Sequence, residues 1–121
     1  MRISVKRMYE DPHRSDGLRI LVDRLWPRGI RKENLRHDRW LKEVAPSAEL
    51  RTWYGHRPDR FREFARLYRT ELRRGKASEA LKELREHGRA RRLTLLTATR
   101  DVDRSGAKVL ADVLSRARQG G

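Results

Sequence analysis

The chain has 121 residues, with 31 basic against 17 acidic side chains and a formal charge of +14. That length suits one domain, burying about two thirds of the surface its unfolded form would expose. Cysteine is absent, which excludes disulfides, thiol catalysis and thiolate metal sites. No apolar run approaches the ~20 residues of a membrane span, and no basic-then-apolar leader opens the chain, so a cytoplasmic protein without membrane contact is expected.

Arginine accounts for 25 of the 31 basic residues. Its planar fork matches phosphate in two-pronged geometry, so nucleic acid or another polyanion is the natural partner. Arginine-rich codon usage would give the same composition, and charge alone does not separate the two. The basic residues are spread through periodic segments and not gathered in a tail, which argues against a disordered arm.

Ile3 and Val5 alternate with Ser4 and Lys6, giving a first strand that ends near Tyr9. Glu10 to Gly17, with Asp11-Pro12 and Ser15-Asp16-Gly17, reads as loop. Leu18, Ile20, Leu21 and Val22 form a second strand. The link is too short for a helical crossover, so the two strands are an antiparallel hairpin or separated edge partners. Arg31 to His37 suits one helical turn, and Trp40, Leu41 and Val44 anchor a segment that stops at Pro46.

Ser47 is a suitable N-cap for a helix through Trp53, with Leu50 and either Trp53 or Tyr54 inward and Gly55 as its end. Pro58 opens the clearest helix, in which Phe61, Phe64, Ala65, Tyr68 and Leu72 recur at three- and four-residue spacing. A further helix runs from Ser78 to His87 and stops at Gly88. Leu93, Leu95 and Leu96 break the helical period and mark a central strand. A last helix spans Asp103 to Arg118, with Ala107, Leu110, Leu114 and Ala117 on one face.

This order predicts an α/β fold, a small single domain over residues 1–118 with a frayed tail at 119–121. Its short, partly parallel sheet of three to four strands is packed by helices in Rossmann-like layers. The long crossover from the second strand to the central one makes those two parallel, so their C-terminal ends share one sheet edge, where ligands of open α/β sheets bind. The second strand delivers Asp23, Arg24, Trp26 and Arg28 to that edge, on a loop shaped by Pro27 and Gly29. The central strand delivers Thr97, Thr99, Arg100 and Asp101.

Asp23 and Asp101 are the candidate catalytic carboxylates, and Arg24, Arg28 and Arg100 the candidate phosphate clamps. Trp26 and Trp53 are candidate stacking platforms, and His56 a candidate proton carrier or anion ligand. Each has a plainer role: Asp101, Asp103 or Ser105 could cap the last helix, Asp23 could form a structural ion pair, and the tryptophans could simply pack. His13, His37 and His87 lie at no metal-ligand spacing, and GxGxxG, Walker, GxSxG and HExxH motifs are missing, so neither a metal nor a cofactor is expected. The sequence leaves the oligomeric state open.

These residues also carry a likeness. Val5-Lys6-Arg7 with Tyr9, then Gly17, Arg19 and Val22-Asp23-Arg24-Leu25-Trp26-Pro27-Arg28-Gly29, begin a pattern that continues in Trp40-Leu41-Lys42-Glu43 and Ala45-Pro46-Ser47. Leu50-Arg51, Trp53, Gly55-His56, Pro58, the helix bearing Phe64, Tyr68 and Glu71-Leu72, and Leu95-Leu96 with Asp101 complete it. Over nearly its whole length the chain resembles the YeaO-like group of the domain of unknown function 488 (DUF488). The resemblance implies a compact α/β domain and no particular activity. The chain departs from the pattern at Arg104-Ser105, where many members carry His-Asn, and at Thr97, where an aromatic is frequent. A catalytic role of that His-Asn pair would be lost here.

A nucleic-acid- or nucleotide-associated protein is the leading expectation, extending to a base- or phosphate-handling hydrolase of the DNA glycosylase type. A small-molecule enzyme or sensor for an anionic ligand, or a non-catalytic interaction domain, is the alternative.

Overall fold

A computed structural model describes residues 2–31 and 37–116. Four parallel strands form one sheet: β1 (Ile3–Arg7), β2 (Leu18–Leu21), β3 (Arg39–Trp40) and β4 (Leu93–Thr97), in the spatial order β1-β4-β2-β3. Every residue of β4 is buried, as its apolar run requires of a strand flanked on both sides. Val5 and Ile20 both lie level with Leu95.

The first two strands are therefore not a hairpin. Each pairs in parallel with β4, and only β1 lies at an edge, because β3 covers the far side of β2. The two-residue β3 is too short to show a period, which is why the sequence gives no sign of it. The turn expected over Arg31 to His37 falls largely on residues 32–36, outside the described residues.

Four helices follow: α1 (Ala48–Tyr54), α2 (Phe61–Glu71), α3 (Gly75–Ala90) and α4 (Gly106–Arg116). Ser47 caps α1, its Oγ accepting from Leu50 N at 3.1 Å, and Gly55 closes it in the left-handed region at φ 52°. The inward aromatic of α1 is Tyr54, stacked on Phe64 at 4.1 Å, whereas Trp53 is 38% exposed. Adjacent helical positions differ by about 100°, so only one of the two can face the core. α3 runs through Gly88, which is buried inside the helix and does not end it. Ser105 caps α4, accepting from Lys108 N at 3.1 Å. The expected end of that helix at Ala117 and Arg118, like the tail, lies outside the described residues.

Alternation along the strands divides the core. Ile3, Val5, Leu18, Ile20, Val22, Leu93 and Leu95 point to the face on which all four helices pack. The other face holds a small cluster of Met8, Leu21 and Leu96, covered by Trp26, Ile30, Trp40 and Ala98. Beside it lies a polar knot in which Asp16 takes Lys6 and Arg19 at 2.5 Å each, while Thr94 Oγ1 donates to the Asp16 carbonyl. Burial opposes the Asp16 charge, but Lys6, the His13 N–H and Arg19 together hold its pKa down at about 2.

Gly17 joins this knot to the sheet. At φ 65° it brings the chain so close to the strand leading into β4 that an added Cβ would lie 2.2 Å from the Arg92 carbonyl oxygen. The Asp16-Gly17 pair is thus a close approach of two backbones as well as a turn. No helix among the described residues is long and apolar enough to cross a membrane.

Candidate functional site at the strand ends

The C-terminal ends of β2 and β4 open onto a cavity of about 560 Å³. The loop after β2 contributes Asp23, Arg24, Leu25, Trp26, Pro27 and Arg28, and the loop after β4 contributes Ala98, Thr99, Arg100 and Asp101. Both candidate carboxylates and all three candidate arginines line it, with Trp26 and His56. Trp53 does not: it stands outside with the Arg60 guanidinium 5.0 Å above its ring.

Asp23 sits at the inner end, and both of its carboxylate oxygens are engaged. Thr97 Oγ1 donates to Oδ1 at 2.8 Å and Ala98 N donates to Oδ2 at 2.7 Å, which ties the end of β2 to the end of β4. Burial pushes the Asp23 carboxyl above its ordinary range, against the pull of Ala98 N–H, Thr97, His56 and Arg51. Its backbone is fixed as well, because Trp40 Nε1 donates to the Asp23 carbonyl at 2.7 Å.

Asp101 occupies the exposed rim and pairs with Arg104 at 2.8 Å. Arg24 is turned to the backbone, its Nε donating to Pro46 O at 2.9 Å. Trp26 donates to Ile30 O at 2.6 Å and meets Trp40 and His37 edge-on at 5.3 and 5.5 Å, so its indole takes part in packing while the residue still lines the cavity. Among the described residues, Arg28 and Arg100 form neither a hydrogen bond from the side chain nor an ion pair, and both are exposed at the mouth.

His56 holds a strained backbone. It is the one non-glycine among the described residues at positive φ, 58°, directly after Gly55. Such strain persists where surrounding structure imposes it, and it gathers at functional sites.

Sequence reasoning missed Arg51, Tyr54, Phe64 and Arg104 as lining residues. Arg51 was within reach: with Leu50 and Tyr54 inward, it lies beside the buried face of α1, one turn on from the Ser47 cap. Tyr54 donates its hydroxyl to Arg104 O at 2.6 Å, and burial, with Asp101 nearby, raises its pKa. The cavity walls are apolar at Val22, Pro46, Phe64 and Ala107, while guanidinium groups ring the opening.

Fold and site together define a parallel α/β domain with an arginine-rimmed pocket at the strand ends. The chain belongs to the inactive DUF488-N3 subclade, whose family model matches residues 2–120. It is 53% identical over 114 residues to the uncharacterised protein Rv3073c of Mycobacterium tuberculosis, covering 94% of each chain. To the uncharacterised protein YeaO of Escherichia coli it is 41% identical over 114 residues, covering 94% of this chain and 97% of that one. No solved structure gives a significant match.

Proposed function

We propose that this protein binds a phosphorylated planar ligand, a nucleotide free or as a unit of nucleic acid, in the strand-end pocket without cleaving it. The observation that carries this reading is the division of labour in the pocket. Its cations Arg28 and Arg100 have no anionic partner among the described residues, whereas its carboxylates are occupied. A phosphate at the mouth would meet guanidinium forks, and a base would meet the apolar walls beside Trp26.

Binding is favoured over hydrolysis by two features. The Asp23 carboxylate is committed to holding the two loops together, each of its oxygens accepting from one partner on the β4 side, Thr97 or Ala98. The subclade's description as inactive agrees with a pocket that has kept a ligand and lost a reaction. Arg104-Ser105 fits the same view, since Arg104 is committed to Asp101 and Ser105 to the α4 cap.

Calorimetric titration with adenosine 5′-monophosphate, adenosine and inorganic phosphate tests the proposal. Saturable binding of the monophosphate, weaker binding of adenosine and an unchanged nucleotide at the end of the titration are expected. Absence of binding at low salt, or release of base or phosphate, would refute it.

A further inference from the structure

The outer face of α2 carries a row of arginines that the pocket does not use. Arg62, Arg66, Arg69 and Arg73 follow one another at separations of four, three and four residues. At 3.6 residues per turn they fall within an arc of about 60° and span roughly 16 Å of helix and its C-terminal turn. The opposite side of α2 is spent on the core through Phe64, Ala65, Tyr68 and Leu72. Arg62, Arg66 and Arg73 are exposed, and Arg69, half-buried, keeps its Nε without a hydrogen-bond partner.

The chain contains its own control for arginine-rich composition. α3 also carries basic residues, Lys76, Lys82, Arg85 and Arg89, but intersperses them with Glu79, Glu83 and Glu86. Of these, Glu83 pairs with Arg39 and lies 3.5 Å from His87. On α2 the arginine row has one acidic neighbour, Glu63, which takes Arg66 alone. A bias toward arginine codons would act on both helices; what distinguishes α2 is its local charge, because the Lys82, Arg85 and Arg89 row of α3 is bordered by three glutamates and the row on α2 by Glu63.

We infer that this face of α2 is a docking surface for the phosphate backbone of duplex nucleic acid, separate from the strand-end pocket. One strand of a duplex advances about 3.4 Å per phosphate, so the row spans the rise of about five nucleotides. Guanidinium groups suit phosphate because the fork accepts two oxygens at once. An anionic membrane is the poorer fit, since an interfacial helix must offer an apolar face to lipid and that of α2 is buried in the core. The inference stands whether or not the pocket binds a nucleotide.

Binding of a fluorescent 20-bp DNA duplex, followed against salt concentration, tests it on the full chain. R62Q/R66Q/R73Q changes three exposed residues, and K76Q/K82Q/R89Q removes the same charge from exposed positions of α3. The α2 triple variant is expected to lose at least tenfold in affinity at 50 mM salt and about 2.7 in the slope of log K against log salt, at about 0.9 per phosphate contact. The α3 triple is expected to change that slope by less than about 1. Equal losses in the two variants, no duplex binding by the wild type, or binding to phosphatidylserine vesicles in place of duplex would overturn the inference. Circular dichroism of each variant separates lost binding from lost folding.

Discussion

Thr97 and Asp23, 74 residues apart in sequence, are joined by a 2.8 Å hydrogen bond between the end of β4 and the loop after β2. The bond fixes the inner end of the pocket. With the Ala98 N–H it also makes Asp23 part of the framework that holds the two loops together.

Replacing Asp23 should reveal that role. Asp23→Ala leaves the Ala98 N–H without its acceptor and is expected to cost about 1–3 kcal/mol in urea unfolding. Asp23→Asn can still accept from Ala98 and can donate to Thr97, so it should cost far less. Because the native carboxyl titrates above its ordinary value, the folded state binds the proton more tightly. Wild-type stability should therefore fall as pH rises through the native pKa, and Asp23→Asn should gain relative to wild type over that range.

Asp16 has the opposite sign. Its pKa of about 2 lies below the unfolded value of 3.8, so its contribution is present above pH 4 and is lost as pH falls toward 2. The shift corresponds to about 2 kcal/mol. Chemical denaturation between pH 5 and 2 should show a correspondingly shallower loss in Asp16→Asn. Asp16→Ala leaves Lys6 and Arg19 without their shared anion and should cost about 3 kcal/mol or more at neutral pH.

Gly17→Ala combines a positive φ with a Cβ 2.2 Å from the Arg92 carbonyl oxygen. Neither backbone can retreat without disturbing the Leu18 N to Arg92 O bond of 2.9 Å that starts the β2–β4 pairing. A loss of at least about 3 kcal/mol is expected, measurable as a fall in Tm. Gly29→Ala, with open space around it, should cost only its backbone strain, about 1 kcal/mol.

His56→Gly separates stability from binding. Glycine relieves the left-handed strain of about 1–2 kcal/mol but gives back about 0.5–1 kcal/mol in unfolded-state entropy. The variant should be at least as stable as wild type. Because His56 lines the pocket, the same variant should bind adenosine 5′-monophosphate more weakly.

Much of this architecture could be read locally. The period of α2, the Ser47 cap, the abrupt apolar run of β4 and the sharing of one sheet edge by Asp23 and Asp101 all follow from neighbouring residues. What escaped depends on distant ones. Gly88 sits inside α3 because buried packing tolerates glycine there, and β1 and β2 are both claimed by β4, a choice no local pattern encodes. The bond between Thr97 and Asp23 joins residues at opposite ends of the sequence. That bond turns a suggestive acid among arginines into a structural element, and leaves Arg28 and Arg100, on the two strand-end loops, among the pocket's available charges.

The central claim is that those two arginines receive an anion. Calorimetric titration of adenosine 5′-monophosphate into wild type and Arg28→Ala/Arg100→Ala at 50 mM salt tests it most directly. Both residues are exposed, so the variant should keep the wild-type Tm while its affinity falls at least tenfold, about 1.4 kcal/mol. Equal affinity in the two proteins, or no binding to either, would contradict the account.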